Sequence, residues 1–165
     1  MPPGEQYTQF YALYQEFTVA YINVHVVRRE FYLNAKKFVE QTEPELTVSV
    51  EKISKSENYQ ANPFAYQTLV NYLNQFDDFT LTTNKMFSDL QIVLDKSDVY
   101  MNKLVERKID VKKPDAELEA VYAELTPELK ELATGLKKIT DWASTLETKM
   151  NAMQNTWAKT RDAIN

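Results

Sequence analysis

The stretch LEAVYAELTPELKELATGLKKITDWASTLETKMNAMQNTW, residues 118–157, carries the pattern that decides the fold. Within it Leu118, Tyr122, Leu125, Leu129, Leu132, Leu136, Ile139, Ala143, Leu146, Met150, Met153 and Trp157 recur at alternating steps of four and three, and all twelve are apolar. A repeat averaging about 3.5 residues keeps one narrow face of an α-helix apolar and demands a partner along that face. A strand alternates every second residue and cannot produce the spacing. The positions between are mostly Lys, Glu, Thr and Asp, so the outer side meets water. Thr126-Pro127-Glu128 has the form of a helix N-cap followed by a first-turn proline. The register nevertheless runs through it, which favours a kinked lead-in over residues 115–125.

The first third repeats the rhythm with aromatics. Tyr7, Phe10, Tyr14, Phe17, Tyr21, Val24, Arg28, Phe31, Ala35 and Phe38 share one seam in which Arg28 is the only polar member. Apolar flanks on both sides, such as Leu13 and Ala20 or Tyr11 and Tyr32, widen this stripe and predict a central helix. The middle third opens on Asn62-Pro63, again an N-cap with a first-turn proline. Its predicted seam runs Tyr66, Leu69, Leu73, Phe76, Thr80, Thr83, Phe87, Leu90, Leu94, Ser97, Met101 and Leu104. The run from Thr80 to Asn84 is a poor helix interior, so the segment 78–84 admits a kink or a break that would make four segments of three.

These readings predict an all-α, elongated, antiparallel bundle of three long heptad-patterned helices, up-down-up, in a single domain spanning 1–165. The helices are expected at about 5–41, 63–109 and 115–163. The connector 42–62 has room for a short helix around Leu46, Val50 and Ile53. Only two glycines occur in 165 residues, which disfavours a turn-rich sheet fold. The chain has no cysteine and hence no disulfide or thiolate chemistry. A net charge of −5 argues against broad nucleic-acid binding. No signal-peptide pattern opens the chain and no uncharged apolar run reaches about 18 residues, so a cytoplasmic protein is expected.

Four features carry candidate function. Arg28, an arginine on an apolar seam, needs carboxylates or a path to water. Counting antiparallel from the loops sets it level with Asp77, Asp78 and Glu147, a candidate polar layer that would fix helix register. The alternative is that its head reaches solvent. Tyr11, His25 and Tyr32 lie just off the aromatic seam and are candidate partner contacts. His25, the only histidine, lacks companions for a metal site. Lys103, Arg107, Lys108, Lys112 and Lys113 cluster at a helix C-terminus, where they suit the helix dipole or, alternatively, an anionic lipid surface. No phosphate loop, nucleophile elbow or metal-ligand spacing occurs, so no cofactor and no enzymatic activity are expected. The function expected is a binding adaptor or assembly subunit acting through helix-helix contacts, with a protein partner or a second copy. A curved membrane-binding bundle, resembling BAR domains in architecture alone, and an apolar-ligand carrier are the alternatives.

Overall fold

The computed structural model describes residues 4–55 and 63–164, and these are helical apart from the short loop after residue 106. Helix α1 spans Glu5–Val26 and passes through a π-helical turn, Val27–Phe31, into α2, Tyr32–Lys55. Helix α3 spans Pro63–Glu106, and α4 spans Glu119–Ile164 after a short 3-10 turn at Ala116–Leu118. The expected all-α, three-helix character therefore holds, with no strand among the described residues. The end of the first helix differs from expectation. Residues 42–55 continue it instead of forming a connector, and Pro44 lies inside it. Burial of Thr42, Leu46 and Ile53 on one face outweighs the single backbone hydrogen bond that Pro44 cannot donate. The Asn62 cap lies outside the described residues.

Two compact units divide the chain, Met1–Arg28 with Met86–Trp142, and Arg29–Lys85 with Ala143–Asn165. Each is a three-helix assembly. In the first unit Lys103 meets Glu128 and Arg107 meets Glu124, so residue numbers rise on α3 as they fall on α4. Phe17 against Tyr100 and Tyr21 against Asp98 reverse in the same way between α1 and α3. Tyr7 on Tyr122 and Glu16 with Lys137 rise together, so α1 and α4 run parallel. This is the up-down-up order. In the second unit Tyr72 bonds the Met153 carbonyl while Asp78 pairs with Lys149, again antiparallel.

The twelve-residue C-terminal seam buries every member except half-buried Leu118. Pro127 sits inside α4, and Thr126 is no cap; its hydroxyl donates to the Tyr122 carbonyl at 2.6 Å. Leu125, Leu129 and Leu132 are buried on either side of the proline, and their packing carries the helix past it.

Along α3 the buried set is rotated from the expected one. Leu69, Phe76, Thr83, Leu90, Ser97 and Leu104 are buried as expected, but Tyr72, Phe79, Met86 and Tyr100 are buried where Leu73, Thr80, Phe87 and Met101 were expected. Both flanks are apolar, so periodicity cannot choose between them. Packing chooses the tyrosines because their hydroxyls find acceptors, Tyr72 at Met153 O (3.1 Å) and Tyr100 at Leu125 O (3.0 Å). The rotation takes Thr80 off the seam, where its hydroxyl bonds the Phe76 carbonyl, and α3 runs through 78–84 without a break.

Candidate functional site

A groove of about 690 Å³ lies in the first unit, lined by Tyr11, Tyr14, Gln15, Thr18 and Val19 of α1 and by residues 109–112. Its far wall is a loop held by specific bonds. The C-terminus of α3 closes with Lys108 N–H donating to Val105 O (3.0 Å) and Ile109 N–H to Leu104 O (3.0 Å). Lys108 adopts φ 55°, the left-handed conformation that glycine usually supplies there. Asp110 then accepts from Lys112 N–H (3.0 Å), and the Tyr7 hydroxyl donates to Val111 O (2.7 Å). The loop is thus tied to α1 through a nearly buried tyrosine.

The near wall is polar and apolar by turns. Tyr11 stacks on Tyr7 with ring centroids 5.7 Å apart, and the Thr18 hydroxyl donates to the Tyr14 carbonyl (2.9 Å). Val19 and Ile22 are large apolar residues left exposed, at 60% and 56%.

Among the expected site residues, Tyr11 of the aromatic helix and Lys112 of the basic cluster line this groove. His25 is exposed and packs edge-on against Tyr21 at 4.6 Å, with the Tyr21 hydroxyl donating to Asp98 (2.8 Å). Tyr32 is exposed in the second unit. The expected polar layer is not a buried layer, because Arg28, Asp77, Asp78 and Glu147 are all exposed. Arg28 falls in the π-helical turn, where no residue between Val24 and Phe31 is buried. That wider turn carries it off the seam and into solvent. Asp78 spends its charge on Lys149 at 2.8 Å.

The basic cluster divides in two. Lys103 and Arg107 are held by Glu128 (3.0 Å) and Glu124 (3.2 Å), both on α4. Lys108, Lys112 and Lys113 are exposed on the loop. Among the described residues no group of three or more His, Cys, Asp or Glu is placed to hold a metal ion. No described helix is long and apolar enough to cross a membrane.

The perturbed titrations belong to packing. Burial raises the Tyr7 hydroxyl, helped by Tyr11, Tyr122 and Asp110, and it raises Tyr21, helped by Asp98. Tyr72 is pushed up to about 12 by burial and then by the Glu45 charge. Burial also raises Tyr100, further than Tyr72, with Glu128 and Tyr14 adding to it. Tyr7, Tyr72 and Tyr100 each spend the hydroxyl on a backbone carbonyl, the mark of structural tyrosines.

Tyr14 was read as a seam residue and Lys112 as part of the basic cluster, while Gln15, Thr18, Val19, Ile109, Asp110 and Val111 were not nominated. Val19 and Ile22, apolar yet off the seam, were the available signal. The groove itself depends on where the loop folds back. No protein-family model, no curated protein and no solved structure matches the chain.

Proposed function

We propose that this chain is a non-enzymatic helical-bundle protein that acts as a binding adaptor or assembly subunit by taking a partner's helix along the groove beside α1. The observation that carries this reading is the groove, with Tyr11, Tyr14 and Thr18 at steps of three and four opposite a loop held in place. An amphipathic helix presents its own apolar side chains at the same steps, so its ridges fit the grooves between these residues. Tyrosine suits such a surface, because its ring covers apolar area with few rotamers to freeze while the phenol stays wet. Val19 and Ile22 extend the apolar surface, and Lys112 in the groove wall favours a partner carrying a carboxylate beside its apolar anchors. The groove volume also falls within the range of ~300–1,000 Å³ that small ligands use, which keeps an apolar-ligand carrier as the second reading.

Photo-crosslinking separates these readings. A benzophenone amino acid at position 11, in cells that make the chain, is expected to trap a discrete polypeptide. The same probe at exposed Asn151 is expected to trap none, and Val19→Asp to abolish the position-11 product. Equal trapping at both positions, or none at position 11, overturns the partner-helix reading. A rise in thermal stability with apolar small molecules, lost in Val19→Asp, would establish the ligand reading.

A further inference from the structure

The second unit carries a groove of a different character. Between α2 and α3 a hollow of about 300 Å³ is floored by Leu46, Val50, Leu73 and Phe76 and edged by Glu43, Glu51 and Asp77. All three carboxylates are exposed, and among the described residues none of them has a hydrogen bond or ion pair. No cation lines the hollow. An apolar floor under unpaired negative charge suits a side chain with a long hydrocarbon stem and a cationic head, which is the form of lysine.

Such a surface exists on the same chain. On the loop after α3, Lys108, Lys112 and Lys113 are exposed and hold no side-chain bond among the described residues. The two carboxylates of that loop, Asp110 and Asp115, accept from the Lys112 and Glu117 N–H groups. Lys103 and Arg107 are already neutralised by Glu128 and Glu124, so the positive charge available to a partner is that of the three lysines. The hydrogen bonds that close the loop fix its backbone beforehand, which reduces the ordering cost of docking. Ile109 and Val111, half-buried between the lysines, supply apolar surface to meet the floor.

We infer that the chain self-associates, with the 108–113 loop of one copy seated in the groove between α2 and α3 of another. The net charge of −5 opposes indiscriminate contact between copies. Local complementarity, three lysines against three carboxylates over an apolar floor, selects this pairing. A contact this small gives weak association, in the micromolar range or above. It shares the loop residues 109–112 with the groove beside α1 but not Val19, so a Val19→Asp chain is expected to self-associate as the native chain does.

Sedimentation equilibrium of the full chain at micromolar concentrations and low salt tests the inference. The native chain is expected to show a mass above the monomer that rises with concentration. Two charge-reversed chains, Glu43→Lys/Glu51→Lys/Asp77→Lys and Lys108→Glu/Lys112→Glu/Lys113→Glu, are each expected to associate about tenfold more weakly or less still. An equimolar mixture of the two is expected to associate again, because each reversed surface then meets its complement. A native chain that stays monomeric overturns the inference. So does weakening in only one of the two variants, or a mixture that stays dissociated.

Discussion

Among the described residues, Thr83 alone has a fully buried side-chain oxygen with no partner. Other hydroxyls of α3 show the alternative, since Thr80 and Ser97 each send theirs back to the carbonyl four residues earlier. A buried hydroxyl without a partner costs about 1–3 kcal/mol relative to a satisfied one. Thr83→Val keeps the shape and removes the orphan oxygen, so it is expected to raise stability by about 1 kcal/mol. Thr83→Ser keeps the oxygen, loses a methyl and is expected to destabilise. Urea denaturation checks both, through a shifted midpoint with an unchanged slope. Position 83 on the seam was legible from the spacing. The missing hydrogen bond was not, because it depends on side-chain torsions that no periodicity encodes.

At the scale of the element, the start of α1 shows how one helix completes another. Gly4 occupies the N-cap and has no side chain to offer. The Glu119 carboxylate, from the first turn of α4, accepts instead from Gln6 N–H (3.2 Å) and Tyr7 N–H (3.0 Å). It satisfies two first-turn donors and places a negative charge at the positive end of the helix dipole. Glu119→Ala is expected to destabilise by about 1–2 kcal/mol, and Glu119→Gln by less. A methyl at position 4 would run into that carboxylate. Gly4→Ala is therefore expected to destabilise in the native background and to be nearly neutral beside Glu119→Ala, a non-additivity that thermal unfolding of the four chains measures. Nothing in the local sequence around Gly4 signals a cap donated from residue 119. The same limit applies to the π-helical turn at Val27–Phe31, since Arg28 kept the heptad count while leaving the seam.

At the scale of the whole molecule, each unit holds a buried tyrosine whose hydroxyl bonds α4, Tyr100 in the first and Tyr72 in the second. Both titrate above the ordinary tyrosine value of 10, Tyr72 at about 12 and Tyr100 further up, chiefly because burial disfavours the phenolate. The unfolded chain loses these protons first. Above pH 10 the native state therefore holds more protons than the unfolded state, and stability falls as pH rises. The contribution is fully present below pH 10 and is lost for Tyr72 as pH climbs through about 12. Each such tyrosine adds up to about 1.4 kcal/mol per pH unit to the slope in that window. Tyr72→Phe is expected to cost about 1 kcal/mol at neutral pH, from the lost bond to Met153, and to flatten the alkaline slope. Denaturant midpoints between pH 8 and 12 test this.

The pattern of residues alone determined that the chain is helical, how many long helices it has, and which face of α4 is buried. Each of these follows from apolar spacing along a single helix and needs no knowledge of its neighbours. Tertiary structure decided which flank of α3 turns inward, whether Pro44 and Pro127 end their helices, and where Arg28 points. It also decided that Tyr11 faces a groove. Those outcomes depend on atoms from distant parts of the chain: a carbonyl within reach of a tyrosine, packing on both sides of a proline, a loop bonded to the helix it folds against. The C-terminal stretch foretold its own burial because its seam is narrow and unbroken. The groove beside α1 could not be foretold in the same way, because its second wall is the loop 109–112, about ninety residues further along the chain.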